Sequence, residues 1–230
     1  MSVDVSKPGA SVPVHRVRFV DWSPSAITAL ALSPVAWTES AAAGRSVLAI
    51  GRDNGNIDLC TWCEGQSGSI AQGWSPVWTL LGEENYKIES LAFTASASHL
   101  RLFSTSGGSI VSEHFLPSSL TGQQAADTRT PTRTLSSHGG AIWSMAASPT
   151  GKFLAIGCED GVVRLIDVAG DAFEHVGTGM HVAPRMTRVA SRILSLAWGP
   201  PRRQMATSND SDDDDDEAWR DTYLLGGLGN

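Results

Sequence analysis

The chain has 230 residues, 41% hydrophobic and 18% charged, enough to bury the core of one large or two small domains and far from the composition of a disordered chain. Its net charge of −7 has one source: seven of the 24 acidic residues fall between Asp210 and Glu217, and without them acids and bases balance, so the charge says little about partners of the folded remainder. No apolar run reaches the ~18 residues of a membrane-spanning helix, and the N-terminus lacks a signal-peptide core. With three cysteines, this reads as an intracellular chain with free thiols.

In chain order, residues 1–13 are polar without periodicity and are expected to form a flexible tail. Val14 to Val20, VHRVRFV, alternates imperfectly and suits a partly exposed strand. Ile27 to Ser33 reads as a strand ended by Pro34. Val47 to Gly51 is a second, and Asp53-Asn54-Gly55 turns it into a third, Ile57 to Trp62. A second copy of this plan starts at Ile88, continues through Leu100 to Ser104, and turns at Ser106-Gly107-Gly108 into Ile110 to Phe115. The third copy is the clearest. Ala141 to Ser148 and Phe153 to Gly157 are nearly continuous apolar runs, as strands buried on both faces should be, and Glu159-Asp160-Gly161 turns the second into Val162 to Val168. A fourth copy begins at Ile193, is interrupted by residues 199–217, and resumes at Tyr223 before a final turn at Gly226 to Asn230. Val77 to Leu81, Thr132 to Ser136 and Phe173 to Gly177 stand where a fourth strand of each copy belongs.

The turn glycines Gly55, Gly108 and Gly161 recur every 53 residues. Three or four antiparallel strands per unit, with that recurrence, make the blade of a WD40-type β-propeller, whose repeats run to about 40–45 residues before loop insertions. The expected fold is therefore all-β: the N-terminal part of a WD40-type β-propeller, about three and a half blades with an incomplete ring. It would occupy residues 14–230, with a disordered acidic insertion at 201–218. Open blade edges predict that such a piece aggregates or stays partly unfolded on its own.

Candidate chemistry is sparse. Cys60 and Cys63 form C-x2-C without a second ligand pair, and Cys158 sits at a blade turn; packing explains all three, and no metal or other cofactor is expected. His138 stands where WD40 repeats carry a Gly-His pair, and its likeness to them implies a structural network in which Ser144 and Asp160 fill the strand and turn roles. No nucleophile elbow, Walker loop or dinucleotide fingerprint is present, so no enzyme and no small-molecule substrate are expected. His15, Arg16 and Arg18 on one strand, Arg185 and Arg188 in a loop, and Arg202-Arg203 after a proline pair are candidate contacts to RNA phosphates or a protein partner, although no aromatic-basic interleaving is visible. Ser211, followed by a string of Asp, is a candidate acceptor for an acidophilic kinase, with Ser208 a weaker second.

Three stretches carry a more specific resemblance. VHRVRFVDWSPSAITALALSP at Val14, GGAIWSMAASPTGKFLAIGCEDGVVRLIDV at Gly139 and SRILSLAWGP at Ser191 resemble, in order, the N-terminal blades of the family containing cirhin and the fourth U3 small nucleolar RNA-associated protein. Its members are longer, with two tandem propellers. The resemblance implies a nuclear, nucleolar scaffold without catalytic residues, in the UTP-A (t-UTP) subcomplex of the small-subunit processome. Other WD40 and helical subunits, the 5′ external transcribed spacer of pre-ribosomal RNA and the U3 ribonucleoprotein would be its partners. It further implies a role in 18S ribosomal RNA maturation, with a link to RNA polymerase I transcription. The competing expectations are a generic WD40 adaptor, such as a ubiquitin-ligase receptor or chromatin reader, and a propeller enzyme, for which no convergent carboxylates are seen.

Overall fold

A computed structural model of the chain describes residues 25–34, 46–63, 73–82, 86–95, 100–116, 133–177, 188–203 and 219–229. Within them lie sixteen strands and no helix. The first blade is β1 (Ile27–Leu32), β2 (Val47–Arg52), β3 (Ile57–Cys63) and β4 (Gly73–Leu80), antiparallel in that order. The second is β5 (Ser90–Ala95), β6 (Leu100–Thr105), β7 (Ile110–Leu116) and β8 (Arg133–Ser136). The third is β9 (Ile142–Ala147), β10 (Phe153–Cys158), β11 (Val163–Asp167) and β12 (Glu174–His175). Then β13 (Ile193–Trp198) pairs with β16 (Leu224–Leu228), while β14 (Arg202–Arg203) pairs with β15 (Trp219–Arg220). The first strands β1, β5, β9 and β13 lie side by side, as the inner strands of successive blades. This is the three-and-a-half-blade arc of an incomplete propeller.

The core lies between sheets. Leu91, Phe93, Leu100 and Leu102 of the second blade face Val47, Ala49, Ile57 and Leu59 of the first, while Ala92 and Phe103 turn the other way, toward Ile142, Leu154 and Ile156 of the third. That two-sided burial is why β6 is buried at all six positions, its polar residues Arg101, Ser104 and Thr105 included. The blades lock through one repeated slot. Gly51 and Gly157 occupy the same position of the second strand, and a Cβ there would stand 2.6 Å from Ile88 and 2.7 Å from Ile193, the residues that open the next blade.

Several boundaries differ from the sequence reading. β5 begins at Ser90, because the Ile88 N–H donates across the junction to the Arg52 carbonyl, at 3.0 Å. Gly226 and Gly227 belong to a strand, paired with Leu196 and Ser195; the sequence reading made them a turn from composition alone, but glycine joins a ladder when an apolar strand lies opposite. In the second blade the left-handed turn residue is Gly107, at φ 68°, and Gly108 is not left-handed; with two adjacent glycines, spacing could not choose between them. Arg202–Arg203, at the start of the acidic insertion, form a two-residue ladder with Trp219–Arg220. The tail at 1–13, the strand expected at Val14 to Val20, and the acidic run itself lie outside the described residues.

Candidate interaction surface and the braces behind it

The turn from β10 to β11 brings together Gly161, Asp160 and the His138 main chain. Gly161 is required there twice: its φ of 76° is left-handed, and an added Cβ would stand 2.1 Å from the Val189 carbonyl oxygen. The first-blade counterpart, Gly55, has φ 86°. Asp160 accepts from the Val162 N–H at 3.2 Å and from both ends of the Arg164 fork, Nη1 at 2.9 Å and Nη2 at 2.7 Å. The Arg164 hydrogen bonds are the main reason its carboxyl lies below the usual range, and the same contact raises Arg164.

Arg164 Nη2 also donates to the His138 carbonyl at 3.3 Å, so Asp160 and His138 are joined through this arginine and the His138 main chain. The imidazole of His138 lies against His175 instead, ring centroids 5.3 Å apart, and His138 is held at φ 53°. Ser144 is not part of this group. Its hydroxyl donates to the Ile193 carbonyl at 2.9 Å and stitches the third blade to the next inner strand. The expected His-Ser-Asp network is thus replaced by an Asp160–Arg164 pair, because a planar fork with two donors satisfies a carboxylate better than one imidazole N–H. Arg202 and Arg203 are exposed and stand opposite Arg220 and Trp219. His15, Arg16, Arg18, Arg185, Ser208 and Ser211 lie outside the described residues.

The structure adds a brace that the sequence reading missed. Arg101 on β6 and Glu113 on β7 are buried, at 1% and 0% exposure, and the Arg101 Nε donates to Glu113. Arg133 on β8 donates to the other Glu113 oxygen at 2.6 Å. Arg101 then crosses to the third blade, donating to the carbonyls of Val168 at 2.6 Å, Gly170 at 2.8 Å and Ala172 at 2.7 Å, and Arg133 donates to that of Asp171 at 2.8 Å. Both guanidinium groups lie over phenylalanine rings, Arg101 over Phe103 and Phe115, Arg133 over Phe115 and Phe173. The signal available in the sequence was opposite charges in adjoining strands that are otherwise apolar.

Between the first and second blades opens a cleft of about 1330 Å³, lined by Asn54, Asn56, Tyr86, Ser104, Ser112 and His114 among others. The His114 ring stands 3.0 Å from the Ser104 hydroxyl, and burial lowers its pKa to about 4, so it is neutral at neutral pH. Ser104 is itself buried within the sheet interface, which makes the pair a packed polar contact rather than an exposed nucleophile with its base. Cys60 and Cys158 are buried free thiols whose pKa burial raises, the opposite of an activated thiolate. Among the described residues no cluster of His, Cys, Asp and Glu has the make-up of a metal site.

Four-stranded antiparallel blades, inner strands in sequence, and a tight acidic turn closing the third blade define a WD40-type propeller segment. Residues 129–167 match the model of the WD domain, G-beta repeat. The chain is 33% identical over 186 residues to U3 small nucleolar RNA-associated protein 4 of Saccharomyces cerevisiae, covering 80% of this chain and 21% of that protein. The Schizosaccharomyces pombe protein of the same name is 34% identical over 184 residues (80% and 22%), and the human homolog 30% identical over 196 (85% and 23%). This chain belongs to the U3 small nucleolar RNA-associated protein 4 family, and it spans about a fifth of the length of the curated relatives it matches. Among solved structures, one chain of a humanized mutant of the Chaetomium thermophilum Polycomb Repressive Complex 2 has a TM-score of 0.47 at 16% identity, covering 63% of this chain and 28% of that one.

Proposed function

We propose that this chain is part of a non-catalytic scaffold in ribosome biogenesis. It works in the nucleolus, in assembly of the small-subunit processome and maturation of pre-18S ribosomal RNA, with a link to RNA polymerase I transcription. The observation that carries this reading is the 30–34% identity, over 80–85% of the chain, to relatives named for association with U3 small nucleolar RNA. The side-chain chemistry supports a scaffold. Asp160, Glu113 and Asp58 are each taken by an arginine, and Ser144 by a main-chain carbonyl, so these groups brace blades and do not converge on a substrate. Its partners are other WD40 and helical subunits of the UTP-A subcomplex, the 5′ external transcribed spacer and the U3 ribonucleoprotein. The test is affinity purification of the tagged protein from its own cells, with sequencing of the bound RNA and identification of the bound proteins. Recovery of U3 and pre-ribosomal RNA with WD40 and helical subunits is expected; a preparation holding none of them overturns the reading.

A further inference from the structure

Near the third-blade turn two guanidinium groups are left over from the bracing. Arg192, exposed just before β13, holds its Cζ 4.6 Å from the ring centroid of Trp143 on β9. Trp143 is 39% exposed, and its indole N–H donates to the Glu159 carboxylate, which fixes the plane of the ring. Arg188 donates its Nε to the Asp160 main-chain carbonyl at 3.0 Å. Glu159 keeps its charge beside the indole, and Asp160 is paired with Arg164 and also feels the charge of Arg188; among the described residues neither Arg188 nor Arg192 forms a salt bridge. The segment that carries both arginines is pinned at its two ends: the Val189 N–H donates to the Gly161 carbonyl at 2.9 Å, and the Arg192 carbonyl accepts from Gly229 at 3.1 Å.

We propose that Trp143, Arg192 and Arg188 form a contact for single-stranded RNA, in which an unpaired base stacks on the Trp143–Arg192 pair and Arg188 takes a neighbouring phosphate. The proposal deepens the reading above, and rests on it for the choice of RNA. Each part meets a need of that ligand. A fixed aromatic plane with a guanidinium beside it stacks any base, and stacking requires a base not already sandwiched in a duplex. The exposed guanidinium groups of Arg188 and Arg192 draw the backbone, with release of counterions. An acidic peptide would use the charges but has no flat group to match the indole. Trp143 and Arg192 lie 49 positions apart in the sequence, so the aromatic-basic pairing exists only in the folded blade.

The test is fluorescence anisotropy of a labelled oligouridylate of about 12 nucleotides, long enough for one stacking groove, titrated with the protein purified from its own cells across a salt series. Trp143→Ala is expected to weaken binding about 5- to 100-fold, and Trp143→Phe to keep most of it. Arg188→Gln is expected to lower the salt slope by about 0.7, and Arg192→Gln to weaken binding with a smaller change in slope, since its guanidinium sits in the stack. A Trp143→Ala chain with an unchanged circular-dichroism melt and undiminished RNA affinity overturns the site, as does an oligoglutamate peptide that competes as well as the RNA. Ultraviolet cross-linking within the native particle checks the same contact on the protein in its own assembly. RNA adducts on peptides containing Trp143 or Arg192 are expected; their absence at good peptide coverage, in a particle that still holds U3 RNA, overturns the contact and leaves the scaffold reading standing.

Discussion

The first-to-second and second-to-third blade junctions share one geometry and differ in chemistry. The first is packed by aliphatic and aromatic side chains, Val47, Leu59, Leu102 and Phe93 among them, and opens at its turn end into a neutral polar cleft around His114. The second has a comparable apolar layer and adds the Arg101–Glu113–Arg133 group, with Arg101 and Glu113 buried, which reaches across to four third-blade carbonyls between Val168 and Ala172. Apolar burial is non-directional and holds two sheets together without fixing how far one slides over the other. A charge with five N–H donors, satisfied only when a particular set of carbonyls faces it, fixes that register. The second and third blades should therefore behave as one rigid unit, and the first as a unit joined to it by packing and the Ile88–Arg52 main-chain bond, with no charged brace among the described residues.

Removing the anion from that brace should give the largest effect. Glu113→Ala leaves the buried Arg101 charge without its partner and is expected to destabilise the chain by about 3–5 kcal/mol in a urea titration, whereas Arg101→Met with Glu113→Leu should cost far less. A small loss for Glu113→Ala would show that the two junctions are held alike. Acid comes next, and acts on the first junction. Above pH 6.5 His114 is neutral folded and unfolded. As the pH falls from 6.5 to about 4 the unfolded chain binds a proton that the buried ring refuses, so stability declines, by about 3 kcal/mol in all. Thermal melts of His114→Leu across that range should lack this loss, and the change in hydrogen exchange should concentrate at the first-to-second junction. The smallest effect is expected at the third-to-fourth junction. Gly161→Ala places a side chain at a left-handed φ and against the Val189 carbonyl, for about 1–3 kcal/mol. Faster amide exchange at Val189, whose N–H donates to Gly161, is the local readout.

The ends of the arc complete the comparison. Leu30 on β1 is 60% exposed and Leu225 on β16 is 62% exposed, whereas the apolar residues of inner blades at matching depth are buried. β16 pairs with β13 on one side, while its counterparts β2, β6 and β10 are each paired on both. The described surface thus changes character from braced and polar near the third-blade turn to apolar at the two ends.

Blade strands were legible because burial on both faces writes itself into a strand as a nearly continuous apolar run, and because a hairpin turn demands glycine; Ala141 to Ser148, FLAIG and the recurring turn glycines announce the repeat before any coordinates. The glycine pair at 226–227 misled for the same reason, since composition records conformational freedom and not which strand lies opposite. The network expected of His138, Ser144 and Asp160 had other partners in the fold, since a carboxylate takes the donor that geometry offers, and Arg164 offers a two-donor fork to Asp160.

By itself the sequence determined the fold class, the repeat and the family, because these depend on local periodicity, turn chemistry and the order of matching stretches along the chain. Tertiary structure alone decided which charges became braces and which stayed free. Arg101 looks no different from Arg192 in one dimension. One is buried against Glu113 and three carbonyls, the other lies exposed over an indole from a different strand. Desolvation and the partners brought within about 3 Å set a guanidinium's role, and both are properties of the assembled blades.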